Sequence, residues 1–430
     1  MRSHVVALGL GSNLQAPIEN LRRALNEIKN IHELKVVKLS SIYESDAQLP
    51  ENATAAWNHQ YLNAVVLCEV KSSLYPNQLL KKLKEIEKRL GRQDSAKWAP
   101  RLIDIDILLW DHTVYVDDDL KIPHPQIKER SFVLLPLLEV WPELPGEKPN
   151  WALPWVLDKP FNTKKSDQHF WPKMVGILNV TEDSFSDGGQ FNRPEALLLQ
   201  AQRLLKTGAT VLDIGAESTR PGAKPIEPAE EVARLKSALS DLKTLQNDFE
   251  FEISLDCRNP EVVAALLGQF AINYLNDVTG FQSSAMRGLL EESPELKAFV
   301  MHSLTVPPSK NEIIDPRQNP NETLTQWWQQ KLIDLEFASD RIIFDPGIGF
   351  GKSKWQNLYI LRNLHQLSSV RQPIMIGHSR KSFLTLLCDR PAPLRDLETA
   401  LVTKDLNLTY VQYLRVHDVE SQRIALRSQQ

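Results

Sequence analysis

Two sets of residues in this chain have types and spacings suited to chemistry. In WAPRLIDIDIL, Asp104 and Asp106 lie two apart in a β-type run, so a strand turns both carboxylates to one face. Paired carboxylates offer hard oxygen ligands to Mg²⁺, and Arg92, Lys97 and Arg101 stand nearby in sequence. Together they suit a metal nucleotide, with the cations on triphosphate oxygens. Taken alone, the pair also reads as a solvated strand face. No Walker A motif occurs, which argues against a P-loop kinase. The second set is spread along the chain at the ends of short apolar runs: Asn179, Glu217, Asp256, Asn276, His302, Asp345, Ser379 and His417, with Arg220, Lys381 and Arg415 close by. Aspartates make charge-assisted hydrogen bonds to a heterocycle bearing N–H groups, whereas arginine and lysine suit phosphate oxygens. If these residues converge, the site is divided, with a heterocycle inside and phosphate outside.

The elements that must position them follow from the hydrophobic patterning. Before residue 150, apolar runs at HVVALGL, LKVVKLSSIY, YLNAVVLCEV and LIDIDILLW alternate with amphipathic segments IENLRRALNEIKN, NQLLKKLKEIEKRLG and RSFVLLPLLEVW. The order predicts a mostly antiparallel, ferredoxin-like α/β sandwich. A segment rich in proline and tryptophan, residues 151–171, reads as a linker. Residues 172–430 carry eight β-type runs, MVGILNV, ATVLDIGAES, FEISLDC, INYLNDVTG, KAFVMHS, RIIFDPGIGF, PIMIGHS and YLRVHDV. Most are separated by enough chain for a helix. Their continuous apolar character suits strands buried on both faces, and eight units in roughly 260 residues is the size of a (β/α)8 TIM barrel. An open doubly wound sheet is the alternative. The polar run ends favour the barrel, because there all strand ends meet on one rim.

The motifs of this second part, MVGILNVTEDSFSDGG, ESTRPGA, LDCRNPEV, NDVTG, DPGIGFGK, GHSRKSF and RVHDV, occur in order and resemble those of dihydropteroate synthase from about Lys173 to the C-terminus. The resemblance implies displacement of pyrophosphate from hydroxymethyl-dihydropterin pyrophosphate by the amine of p-aminobenzoate. It implies that Asn179 helps hold Mg²⁺ and pyrophosphate, with Thr219, Arg220, Arg415 and His417 around the phosphates. Asp256, Asn276, Asp345 and Lys381 would line the pterin pocket, Lys381 and Arg415 acting in catalysis. Phe185, Pro221, Phe350 and Ser379 would meet p-aminobenzoate on loops that the glycine-rich DGG and GIGFG make mobile. The chain departs from the family at Glu182, Cys257 and Glu398. Cys257 reads as a small buried hydrophobe rather than a reactive thiol.

The first part, through GLGSNL, SSIYES, YLNAVV, EIEKRLGR, WAPRLIDIDIL and IPHPQIKERSFVLLPL, is similar to hydroxymethyldihydropterin pyrophosphokinase from about Val5 to Leu144. By that resemblance Asp104 and Asp106 bind Mg²⁺, and Arg92, Trp98, Arg101, His124 and Arg130 serve the ATP side, Arg92 and Arg101 in catalysis. Tyr61, Asn63 and Phe132 would hold the pterin. Here the departures are larger: Ser45, Asp46, Ala47 and Gln48 stand in place of Thr-Pro-Pro-Leu, the loop PENATAAWNHQ is long, and Asp94 follows close on Arg92.

The expectation is therefore an α/β two-domain, bifunctional transferase of folate biosynthesis: residues 1–150 transfer pyrophosphate from ATP to hydroxymethyl-dihydropterin, and residues 172–430 join the product to p-aminobenzoate. Mg²⁺ is the expected cofactor. A pterin-dependent methyltransferase is the competing enzyme, opposed by Arg220, Lys381 and Arg415 and by the lack of a corrinoid module. An active synthase with a pseudoenzyme first domain is the other alternative. A net charge of −4, from 50 basic and 54 acidic residues, gives no diffuse positive field for nucleic acid. No apolar stretch approaches the roughly 20 residues that span a bilayer. Three scattered cysteines, Cys68, Cys257 and Cys388, suit a reducing, cytoplasmic setting, and the resemblance implies a homodimer through barrel helices.

Overall fold

In the computed structural model the described residues are 4–49, 57–92, 99–142, 160–166, 170–180, 193–217, 226–309, 311–367 and 370–428. The chain divides into two compact units, Met1–Phe170 and Trp171–Gln430.

The first unit runs β1 (His4–Ser12), α1 (Pro17–Lys29), β2 (Leu34–Leu39), β3 (Tyr43–Ser45), β4 (Tyr61–Val70), α2 (Pro76–Arg89), β5 (Asp104–Trp110), the small hairpin β6 (Tyr115–Val116) and β7 (Lys121–Ile122), α3 (Ser131–Val140) and β8 (Lys164–Lys165). The strands pair antiparallel in the order β5-β1-β4-β3-β8, with β2 also on β4. Alternation along β1 sorts the layers. Val6, Leu8 and Leu10 pack with Leu21 and Leu25 of α1 and Leu79 and Leu83 of α2, while Ala7 packs with Leu134 and Leu137 of α3. This is the ferredoxin-like sandwich, with two differences. The run LKVVKLSSIY is two strands, because Ser40 and Ser41 turn their polar groups inward: the Ser40 hydroxyl accepts from the Val65 amide, and Ser41 donates to Glu139 through both its amide and its hydroxyl. In addition, residues 160–166, inside the segment expected as linker, add an edge strand to this sheet.

The second unit alternates β9 (Lys173–Asn179), α4 (Arg193–Lys206), β10 (Val211–Gly215), α5 (Pro228–Leu242), β11 (Glu252–Asp256), α6 (Pro260–Leu267), β12 (Tyr274–Asp277), α7 (Ser284–Glu292), β13 (Lys297–Met301), α8 (Pro320–Asp334), β14 (Ile342–Asp345), α9 (Lys354–Arg362), β15 (Met375–Ile376), α10 (Asp396–Asp405), β16 (Tyr413–Val416) and α11 (Val419–Arg427). Each of the eight expected runs is a strand. Their parallel order is β14-β13-β12-β11-β10-β9-β16-β15, and a bridge between Phe344 and Ile374 brings the ends together into a barrel. Inside, Val175, Val211, Tyr274, Phe299, Ile343, Met375 and Tyr413 form one apolar layer. Two residues further along β9, β10, β12, β14 and β16, on the same inward-facing side, come Ile177, Asp213, Asn276, Asp345 and Arg415. An apolar plug thus supports a mostly polar layer at the C-terminal rim.

Candidate functional sites

In the first unit, the face of the sheet toward α3 opens into a cavity of about 230 Å³. Its floor is β1, whose Gly9 and Gly11 carry no side chain; they lie in register with Asp106 and Asp104 of β5 on one side and with Val65 and Asn63 of β4 on the other. Tyr61, Asn63 and Phe132 line the same cavity as Asp104, Asp106, Arg101 and Arg130, so the three expected pterin residues and the carboxylate pair are brought together. The Asn63 amide donates to the Ser45 hydroxyl at 3.0 Å, which fixes its orientation. Ser12 and Asn13 of GLGSNL hold the arm that carries Arg101: the Ser12 hydroxyl donates to Leu102 O and the Arg101 amide donates to Asn13 Oδ1.

The carboxylates differ. Asp104 accepts from Arg92 at 2.7 Å and from Arg101 at 2.8 Å. Burial alone would raise its pKa, but the two guanidinia hold it below the ordinary value. Asp106 is pushed up to about 6 by burial and by the charge of Asp104. Glu87, which sequence reasoning missed, is buried behind Asp104, accepting from the Ile105 amide and pairing with Arg92. Its signal was a glutamate on the apolar stripe of α2, in register with Leu79, Leu83 and Ile86. His124 does not line the cavity, yet it feels Arg130 and Asp104; burial, assisted by Arg130, lowers its pKa. Two buried polar atoms on the wall have no hydrogen-bond partner among the described residues, Arg130 Nε and Gln48 Oε1. Unmatched polar atoms and adjacent carboxylates in one cavity are what a polar, metal-bearing ligand would satisfy. Two carboxylates alone do not complete a cation's shell, and no cluster of three or more acidic, histidine or cysteine ligands occurs among the described residues. Asn179 ends β9 at the barrel rim, in register with Gly215 of β10.

In the second unit, the rim is organised around Arg415. Its Nε donates to Asp213 at 2.6 Å and its terminal nitrogen to Asp256 at 2.5 Å. Asp213 was missed: it is fully buried and also accepts from Ser254 and Asn276. Its signal was a single aspartate inside the apolar run ATVLDIG, tolerable in a doubly buried strand only if paired. Arg415, expected as a cation for pyrophosphate, is thus already shared by two carboxylates. Burial pushes Asp256 up to about 7 against the pull of Arg415, and raises Asp345 as well. Asp345 accepts from the Gly347 amide at 2.7 Å. Lys381 lies over the Phe350 ring at 4.4 Å. Ser379 and His417 are joined, Oγ to Nδ1, at 2.9 Å.

Phe350 and Ser379 lie in turns outside helix and strand, as expected, and both are buried, at 6% and 4% exposure. The glycines of GIGFG serve close packing: a Cβ on Gly347, at φ +65°, would lie 1.9 Å from His302 O. Lys352 fastens the same turn, donating to Gly347 O and Phe350 O and meeting His302 Nδ1 at 2.9 Å. Cys257 is buried and its thiol is pushed up by that burial, in keeping with a small core residue. Trp98, Phe185, Thr219, Arg220 and Pro221, with Asp94, Lys97 and Glu182, lie outside the described residues.

Comparison with known proteins matches residues 7–142 to the 7,8-dihydro-6-hydroxymethylpterin-pyrophosphokinase family and residues 175–417 to the pterin binding enzyme family. A folate synthesis bifunctional protein of Chlamydia muridarum is 34% identical, over 98% of this chain and 96% of its own length. The crystal structure of dihydropteroate synthase from Anaplasma phagocytophilum, with bound 6-hydroxymethylpterin-monophosphate, is 33% identical and covers 60% of this chain and 98% of its own at a TM-score of 0.53. A Plasmodium falciparum structure of both activities in one chain shares the fold across 100% of this chain and 95% of its own, at TM-score 0.54 and 21% identity. The chain belongs to the bifunctional folate-synthesis family, joining a hydroxymethyldihydropterin pyrophosphokinase to a dihydropteroate synthase.

Proposed function

We propose that each unit performs its reaction with the residues gathered in its own site. In the first, hydroxymethyl-dihydropterin lies between Tyr61 and Phe132 with Asn63 on its edge, and its hydroxyl oxygen attacks the β-phosphorus of ATP, expelling AMP. Asp104 and Asp106 would be the oxygen ligands for Mg²⁺, which when bound would offset the charge of the triphosphate. Arg92 and Arg101 turn from Asp104 toward the phosphates, joined by Arg130, His124 and Trp98. The observation that carries this reading is the single cavity shared by the carboxylate pair and by Tyr61, Asn63 and Phe132.

In the second unit, the pterin ring is held by Asp256, Asn276, Asp345 and Lys381, with Asp213 beneath. The p-aminobenzoate nitrogen attacks the pterin methylene, the carbon–oxygen bond breaks, and pyrophosphate leaves toward Asn179, Thr219, Arg220, Arg415 and His417. Buried aspartates favour the positive charge that develops on the methylene, and the cations favour the departing anion. Phe185, Pro221, Phe350 and Ser379 face the aminobenzoate. The test is a coupled assay with hydroxymethyl-dihydropterin, ATP, Mg²⁺ and p-aminobenzoate. AMP and dihydropteroate are expected in equal amounts; absence of AMP from pure protein overturns the first assignment and leaves the second standing.

A homodimer through barrel helices is supported by an exposed apolar stripe: Leu397 and Leu401 on α10, Leu394 just before it and Ile424 on α11. Sedimentation of the Leu397→Glu, Leu401→Glu double variant as a monomer, against a wild-type dimer, checks it. A cytoplasmic setting is supported by three free cysteines. No helix among the described residues is long and apolar enough to cross a membrane.

A further inference from the structure

Residues 160–166 precede the second unit in the chain, yet they reach the cavity of the first from behind. Phe161 meets Phe132 edge-on, with centroids 5.3 Å apart and planes at 71°. Its carbonyl accepts from the Asp46 amide at 2.9 Å, and Asp46 and Gln48 are part of the cavity wall. Two residues on, the Thr163 and Ser131 hydroxyls are 2.5 Å apart in the interior, at the start of the helix that carries Phe132. Ser166 ties the far end, its amide to Ile42 O and its hydroxyl to Glu44. The connection is made through a strained turn, with Phe161 at φ +67° and Asn162 at φ +44°. Left-handed backbone at two consecutive residues other than glycine crowds Cβ against the following carbonyl, so the surrounding contacts must over-determine it.

We propose that Phe161 is a positioning residue of the pyrophosphokinase: its ring sets Phe132, and its carbonyl sets the Asp46–Gln48 wall, for the pterin. Phe161 does not itself line the cavity, so it acts through Phe132. The proposal rests on the pterin reading of that cavity. Its specific content is that the pterin pocket, and not the ATP side, depends on a residue beyond the matched pyrophosphokinase segment 7–142.

Phe161→Gly separates ring from backbone, because glycine takes the left-handed turn freely and keeps the carbonyl. The expected result is a KM for hydroxymethyl-dihydropterin raised roughly threefold to tenfold, the range an edge-on aromatic pair supplies. The KM for ATP and kcat stay unchanged, and Phe161→Tyr restores the wild-type value. Dihydropteroate formation from preformed pyrophosphate ester is the internal control and stays constant. An unchanged pterin KM in Phe161→Gly overturns the proposal, as does an equal rise for both substrates with a lowered melting temperature, which marks a merely structural role. Phe132→Ala separates the two levels of argument. If it raises the pterin KM while Phe161→Gly does not, only the positioning role fails; if neither does, the pocket reading fails and takes the proposal with it.

Discussion

In the first unit, Asp104 stands on a sheet face with its side chain 25% exposed, between two arginines that are themselves about a quarter exposed. In the second, Asp213 is 0% exposed and shares Arg415 with Asp256 beneath the barrel rim. The two sites handle charge in opposite ways. An ion pair at a cleft mouth is weak and exchangeable, which suits the proposed transfer of its arginines from the carboxylate to the phosphate oxygens of a nucleotide. A buried pair cannot be dismantled cheaply, because each charge left alone is stranded in low dielectric. In the proposed reading the first site is assembled by its ligand, whereas the second is already assembled by folding.

The sharpest way to break this comparison is to remove a carboxylate from the exchangeable site. Asp104→Ala should lower AMP release by about 10³-fold or more while dihydropteroate formation from preformed ester is unchanged. Loss of both activities in steady-state assays would show that the sites are not separate. Next in size is a methyl group placed on a glycine of each unit. Gly347→Ala should destabilise the second unit by about 3 kcal/mol or more, read as a lowered calorimetric transition, since its Cβ meets His302 O at 1.9 Å. Gly11→Ala should leave stability nearly unchanged, because its Cβ finds only ordinary contacts with Asn63 and Tyr61, and raise the pterin KM instead. Equal melting shifts would erase the distinction between a packed turn and an open floor.

Breaking one ion pair in each unit comes third. Asp213→Asn should cost about 3 kcal/mol in denaturant unfolding, whereas Arg101→Ala, which leaves Asp104 its pair with Arg92, should cost under about 1 kcal/mol and act on ATP kinetics. The smallest effect is a pH limb. In the proposed role Asp256 accepts from the pterin only when ionised, and burial raises its pKa to about 7, so its charge is lost as pH falls through 7. The synthase kcat/KM should decline on that acid side, and Asp256→Asn should flatten the limb. An acid limb that persists in Asp256→Asn would exclude Asp256 as its source.

Much of this was legible in the sequence, for physical reasons. Parallel strands buried on both faces read as continuous apolar runs, so all eight barrel strands could be found, and their polar ends pointed to one rim. The spacing of Asp104 and Asp106 placed them on one face. What was hidden depended on partners far along the chain. Asp213 meets Arg415 across 202 positions, and no local pattern announces that pairing. Strand β8 is only Lys164 and Lys165, both exposed, so it carries no apolar signal and reads as linker. The turns at Phe350 and Ser379 are legible as loops but their burial is not, because glycine signals flexibility and close packing alike.

Strand β8 also bears on the order of events during synthesis. A chain leaves the ribosome N-terminus first, and domains generally fold as they emerge. The sheet of the first unit receives its last strand only once residue 165 is out, when the first barrel strand, beginning at Lys173, is next to appear. Strands β1 to β5 can collapse earlier, but Asp46 and Phe132 gain their Phe161 contacts only at this later moment. The first enzyme is completed as the second begins to fold, and a fragment ending at residue 150 would lack that finishing strand.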